Sequence, residues 1–453
     1  MASENQPYYL KLWQHIFYSM ARGGGALVNG VLLQWTMYFY IPPADRGVLL
    51  MPIALFSGVM LFGRLVDAAA DPLVGFWSDS TKSRWGRRIP FIALGAPVLI
   101  MAFILLWFPP VEGYSLWNGL YFALLASIFF FMYTVVFCPH NALLVEATDN
   151  TTERVAISGW GAFFMLAGAA IIAVVAAPII DNYGYRVMAF IIGGIALFLL
   201  YGPVVAIKER KKAEIQSQAP PAKFTQSIKY ALTNKPFVYY LMSNVCFQMG
   251  VNGIIIVAPY FTTQVLMLSE GYLGYIMGAH LASAFICFPF ISKLSRHFGK
   301  AKLFSAGLLI TALMLPLLYF VGKVELPLPL LVQGMIMFAI AGVPLSIIYV
   351  VPNAIVADTV DYDEAITGES RGAMYFGVQG VFHKTAVGLS SVLIGFLFIQ
   401  FGNDASQPDG ILLAGPVAGL LAFSAFLLFR RYPRHDYVEE ARNKKNTNTE
   451  KGL

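Results

Sequence analysis

Stretches of about twenty apolar residues recur from one end of this chain to the other, and a helix of that length covers the roughly 30 Å of hydrocarbon in a bilayer. They fall at about residues 13–40, 47–77, 90–110, 115–146, 155–180, 186–207, 237–266, 271–293, 303–322, 329–357, 372–401 and 411–432. Short polar or basic loops separate them, so the pattern predicts twelve membrane-crossing helices. Composition agrees: of 453 residues, 58% are hydrophobic and 12% charged, far more apolar than a soluble domain of this length. The expectation is an all-α polytopic membrane protein.

The opening MASENQPYYLK lacks a basic segment leading into a short apolar one with a small-residue cleavage site, so the first span is expected to stay. Cys138, Cys246 and Cys287 fall inside spans without C-x-x-C spacing; they are expected to be packing residues, with no disulfide or structural metal. Of the 31 Lys and Arg, only Arg46, Arg186 and Lys323 lie in the odd-numbered connections, and Arg22, Arg64 and Lys384 lie within spans. All the others flank the even connections and the ends, which places both termini in the cytoplasm. The net charge of +6 is thus an insertion signal spread over short loops, and a nucleic-acid partner is not expected.

The polar, basic connection from Lys208 to Pro236 divides the chain into an N-terminal six-helix bundle (1–207), a cytoplasmic linker (208–236), a C-terminal six-helix bundle (237–432) and a cytoplasmic tail (433–453). Within the linker, Ala222 to Asn234 reads either as a short amphipathic surface helix or as a disordered segment. The halves echo each other faintly. Placing Pro72 over Pro289 sets Asp67 and Asp71 over Ala284 and Phe288, so the second copy keeps the scaffold and drops the acids. Six-plus-six bundles with such echoes are the layout of many secondary transporters.

Asp67 and Asp71 stand four apart in the second span, one above the other on one helix face, with Arg64 a turn before. Counting from Ser78 at the inner end puts Asp67 roughly 16 Å deep. A carboxylate there costs roughly 2.5–3.5 kcal/mol even on a lenient insertion scale. Two adjacent carboxylates in low dielectric must hold a cation, share a proton, or be neutralised by a base such as Arg64.

The pattern R-x-x-D-x-x-x-D-P with the SRWGRR loop, VADTVDYDE at Val356 to Glu364, and Val378, Gln379 and Lys384 resembles the glycoside/pentoside/hexuronide:cation symporter family of the major facilitator superfamily. The resemblance implies the major facilitator fold, with 12 transmembrane helices in two six-helix bundles, working by alternating access in the plasma (inner) membrane. It places cation-binding acids on Asp67 and Asp71, a threonine of the cation site on Thr134, and the family's eleventh-helix lysine on Lys384. The implied coupling ion is Na+, alternatively H+ or Li+, with no other cofactor, and the solute is a small sugar, glycoside or uronide. Three sugar-reading positions depart from the family: an aspartate falls on Phe137, another on a Gly or Ala of ARGGGALVNG, and an arginine near Gly161.

By depth, the replacement readers are Arg22, Asn29, His140, Asn141, Trp160, Tyr349, Gln379 and His383. Arg22 and Lys384 favour an anion, and the Gly23–Gly25 run either admits a ligand to the backbone or packs helices closely. Inner-loop charges form a candidate gate: Asp79, Arg84, Arg87, Arg88 and Arg154 in the first half, Asp358, Asp361, Glu364, Glu369 and Arg371 in the second. Loss of the sugar-reading acids, together with 36 Phe, also suits an acyl chain, as in the lysophospholipid transporters of animals, which the family resembles. A non-transporting membrane sensor is the alternative of another class. No Ser/His/Asp set or phosphate loop supports catalysis, and a monomer among membrane lipids suffices.

Overall fold

The computed structural model describes residues 10–148, 151–207, 224–324, 327–368 and 371–433, and among these the chain is helical without strands. The helices are α1 (Leu12–Tyr40), α2 (Ile53–Ser80), α3 (Ile89–Leu105), α4 (Leu116–Ala147), α5 (Thr151–Ile171), α6 (Ala177–Leu200), α7 (Gly202–Ala206) and α8 (Phe224–Ala231). They continue as α9 (Lys235–Tyr260), α10 (Leu273–Phe298), α11 (Lys300–Met314), α12 (Leu330–Thr367), α13 (Gly372–Phe401) and α14 (Asp409–Phe429). Among the described residues, nine helical segments are long and apolar enough to cross a membrane. The chain divides into two compact units: Met1–Ser217 with Ala258–Tyr275, and Gln218–Val257 with Ile276–Leu453.

In the first unit α1 runs along α5, α6 and α7, while α2 and α3 pack on α4. The glycine run of α1 is a packing device. A Cβ at Gly23 would stand 3.0 Å from the carbonyl oxygen of Phe164 on α5, and one at Gly24 would stand 2.9 Å from that of Ala196 on α6. Small residues let backbones meet where lipid supplies no hydrophobic drive. Residues 258–275 join this unit through the far end of α1. The Tyr38 hydroxyl lies 3.1 Å from Thr263 Oγ1 and 3.0 Å from Glu270 Oε1, and Tyr260 donates to the carbonyl of Ile41 at 2.7 Å.

The spans expected at 155–180 and 186–207 meet at a sharp break. Helix continues from α5 through a π turn (Ile172–Ala176) into α6 until Gly184, whose φ of 81° and ψ of 173° interrupt it. Those angles belong to a region essentially open to glycine alone. Gly184→Ala is expected to cost about 1–3 kcal/mol. Thermal unfolding of the purified protein checks this: an unchanged midpoint would mean that another residue makes the turn.

In the second unit α11 packs against α12 and α14, and α13 against α14 and α8. The tenth span was expected to end near residue 357, but α12 continues to Thr367 and is capped by Gly368 at φ 80°, whose N–H reaches the carbonyl of Glu364. The DTVDYDE acids are therefore helical instead of lying in a loop. Asp358, Asp361 and Glu364 follow at i, i+3 spacing on an accessible stripe, while Thr359, Val360 and Asp363 are buried; helical amphipathicity explains the extension. The part of the linker from Phe224 to Asn234 is neither disordered nor loose. Asn234 is buried and donates to the Thr359 carbonyl and the Tyr375 hydroxyl, both at 3.0 Å, and Arg371 lies 4.2 Å over the Tyr230 ring. Linker residues 208–223 and tail residues 434–453 lie outside the described residues.

Candidate functional site

The acids of α2 meet the hydroxyl of Thr134 on α4. Asp67 and Thr134 are each 1% exposed, and Thr134 Oγ1 donates to Asp67 Oδ1 at 2.6 Å. The same oxygen lies 3.4 Å from Asp71 Oδ1 and 3.2 Å from the Asp67 carbonyl oxygen. A hydroxyl has one proton and two lone pairs, so with its proton on Asp67 this oxygen still offers a lone pair. Asp71 is half-buried and on the more open side. Its successor Pro72 supplies no N–H to the carbonyl one turn back, which loosens the backbone beside the acids. The oxygens gathered here are hard donors of the kind that suit a small cation.

Arg64 closes the other side. Its Nη1 lies 3.7 Å from Asp67 Oδ2, an ion pair longer than a hydrogen bond, and Nη2 donates to Asn29 Oδ1 on α1 at 2.8 Å. The guanidinium also sits 4.4 Å over the Phe130 ring. That ring takes its place because residue 63 is glycine, where a Cβ would come within 2.4 Å of it. Arg64 contacts the Oδ2 edge of Asp67 and leaves the Oδ1 edge to Thr134.

The remaining sequence candidates separate. Asn29, expected near the solute, accepts from Arg64. His140 is fully buried, stacked on Tyr18 at 4.4 Å with its Nε2 3.1 Å from the Tyr18 carbonyl, and the Tyr18 hydroxyl bonds back to the His140 carbonyl; it is a clasp between α1 and α4. Trp160 is half-buried among Phe163 and Phe164 of its own helix, and Asn141 is exposed. Gln379 is tied to the Tyr240 hydroxyl at 2.7 Å. Lys384 is half-buried on α13 in the second unit, roughly 18 Å from the start of its helix, and His383 beside it is exposed. The side chain of Tyr349 and the residue Glu369 lie outside the described residues.

Several gate candidates have partners within their own unit. Arg88 donates to Asp79 at 3.0 Å, Arg154 donates to the Thr148 carbonyl, and Arg84 stacks on Trp85. Lys300 pairs with Asp358 at 2.6 Å, and Arg371 lies 3.7 Å from Asp363. Arg87, Asp361 and Glu364 are exposed. Sequence reading missed Tyr133 and Phe130. Both flank Thr134 on α4, and the i−4 spacing of Phe130 was the available signal.

The sequence profile of the family described as MFS/sugar transport protein matches residues 18–433. The chain belongs to the MFS/sugar transport protein family. This MFS protein is thus an integral membrane transporter, and its expected place among major facilitator symporters stands. Similar proteins include YnaJ of Bacillus subtilis (strain 168), described as an uncharacterized symporter, 28% identical over 393 residues that cover 84% of this chain and 81% of that one. The putative glycoside/cation symporter YagG of Escherichia coli (strain K12) is 23% identical, covering 86% and 85%. The sodium-dependent lysophosphatidylcholine symporter 1 of Gallus gallus is also 23% identical, covering 86% and 81%. Among solved structures, the nucleoside transporter NupG superposes with a TM-score of 0.63 at 12% identity over 93% of this MFS protein and all of NupG, a likeness of fold alone.

Proposed function

We propose that this protein is a cation-coupled symporter that moves a small solute, a sugar, glycoside or uronide, by alternating access. Asp67, Asp71 and Thr134 take Na+, with H+ or Li+ as the alternatives, and Lys384 serves the solute or the coupling. The observation that carries this reading is the Thr134 hydroxyl set between two carboxylates, with one arginine nearby. A cation held among these oxygens makes the loaded and empty states differ in electrostatic energy, and that difference couples ion to solute. The names of similar proteins, a glycoside/cation symporter and sodium-dependent symporters, favour the same reading. The inner-side charges from Asp79 to Arg371 then serve as gate pairs that exchange partners between states. The protein sits in the inner membrane as a monomer, both termini cytoplasmic.

The test is uptake into proteoliposomes across glycosides, uronides and lysolipids, with an imposed sodium or proton gradient. A sodium gradient should drive accumulation, and a solute that equilibrates regardless of either gradient would overturn symport. Thr134→Ala should weaken sodium binding by about tenfold or more, while Thr134→Ser, which keeps the oxygen, should bind nearly as wild type. A second reading, transport of a lysolipid, is favoured by the Phe137 ring, which packs where a Cβ on Gly25 would fall and puts an apolar group where the family resemblance expects an acid.

A further inference from the structure

Arg22 is a half-buried cation on α1. It lies ten residues into α1, roughly 15 Å from that end. Among the described residues its guanidinium makes no hydrogen bond and no ion pair. Nor does it reach back along α1 toward the membrane surface, as a snorkelling arginine does. Its side chain crosses sideways onto α5 at Gly161, itself ten residues into its helix. A Cβ on Gly161 would stand 2.6 Å from Arg22 Cδ and 3.0 Å from Nε, so the glycine is what admits the arginine.

The surroundings are aromatic. Tyr18 stands one turn before Arg22 on the same face of α1, and His140 stacks on the Tyr18 ring at 4.4 Å. One turn on, the Phe137 ring fills the notch at Gly25, with Tyr133 tilted against it at 4.4 Å and His140 edge-on at 6.1 Å. The positions where the family resemblance puts sugar-reading acids thus hold the Phe137 ring and a Gly or Ala of ARGGGALVNG, and near Gly161, where it puts an arginine, the Arg22 side chain lies. Even a half-buried cation inside a bilayer favours a counter-charge beside it. A guanidinium fork matches a carboxylate bidentately, and flat rings stack offset on aromatic side chains.

We infer that the solute is an organic carboxylate with a flat apolar ring, its acid group held by Arg22 and its ring lying against Tyr133 and Phe137. This rests on the proposal that the protein is a solute symporter, and it replaces the sugar, glycoside or uronide of that reading with an aryl acid. α1 carries Arg22 and Asn29 two turns apart on one face, and Asn29 holds Arg64 at the cation site, so a single helix face joins the two charges.

The experiment measures binding to the purified full-length protein with three probes: 3-phenylpropionate, its neutral isostere 3-phenylpropanamide, and glucuronate, an anion without an aromatic ring. The aryl carboxylate should bind about tenfold or more tighter than either of the others. Arg22→Gln should erase its advantage over the amide, and Phe137→Ala its advantage over glucuronate. Stabilisation by sodium, measured in the same samples, should survive Arg22→Gln, which shows that the variant is folded. Equal binding of acid and amide, no binding of the aryl acid, or an advantage that persists in Arg22→Gln would overturn the inference. If the Arg22-dependent preference appears while sodium has no effect on the wild type, symport fails and the anion site stands.

Discussion

Asp71→Asn is expected to abolish stabilisation by millimolar sodium or lithium and to cut gradient-driven uptake by about two orders of magnitude. Losing an outer-sphere partner already costs a metal site about 10–100-fold in affinity, and a direct ligand costs at least as much. Asp67→Asn should have the same effect on sodium, but it also leaves a buried guanidinium without its carboxylate. Thermal midpoints in sodium, lithium and choline chloride at equal ionic strength provide the measurement. Identical wild-type midpoints in all three salts would leave the two acids as partners of Arg64 or of protons, and the sodium reading would fall.

Arg64→Met is expected to destabilise the first unit by about 3–5 kcal/mol, the usual result of removing one partner from a buried ion pair. Three contacts go at once: the Asp67 carboxylate, the Asn29 bond and the Phe130 ring face. Adding Asp67→Asn to this variant should recover part of the loss, because no buried charge then lacks its partner. Denaturation of the two single variants and the double variant decides the point. A double variant less stable than Arg64→Met would show that Asp67 is held chiefly by other groups.

Most of the helices could be read from the sequence, because hydrophobic length is a local property and the bilayer fixes how much of it a helix needs. The inner end of α12 could not, because its last turns pair an accessible acidic stripe with buried neighbours and carry no apolar run to mark them. The face shared by Arg64, Asp67 and Asp71 was legible from i, i+3 and i+4 spacing alone. Thr134 entered through a resemblance, and its hydroxyl does meet both acids. The depth of Asn29 was legible while its partner Arg64 was not.

By itself, then, the sequence determined that the chain enters a membrane, where most of its helices run, and that two acids share one buried face. Only the tertiary structure decided which helix supplies the opposing hydroxyl, that Asn29 steadies Arg64, and that Arg22 lies on Gly161 and the Phe137 ring on Gly25. The reason is that spacing along a helix fixes which side chains share a face. Which faces meet depends on how closely helices approach, and here Gly23 and Gly24 let backbones meet while Gly63 and Gly161 make room for the Phe130 ring and the Arg22 side chain.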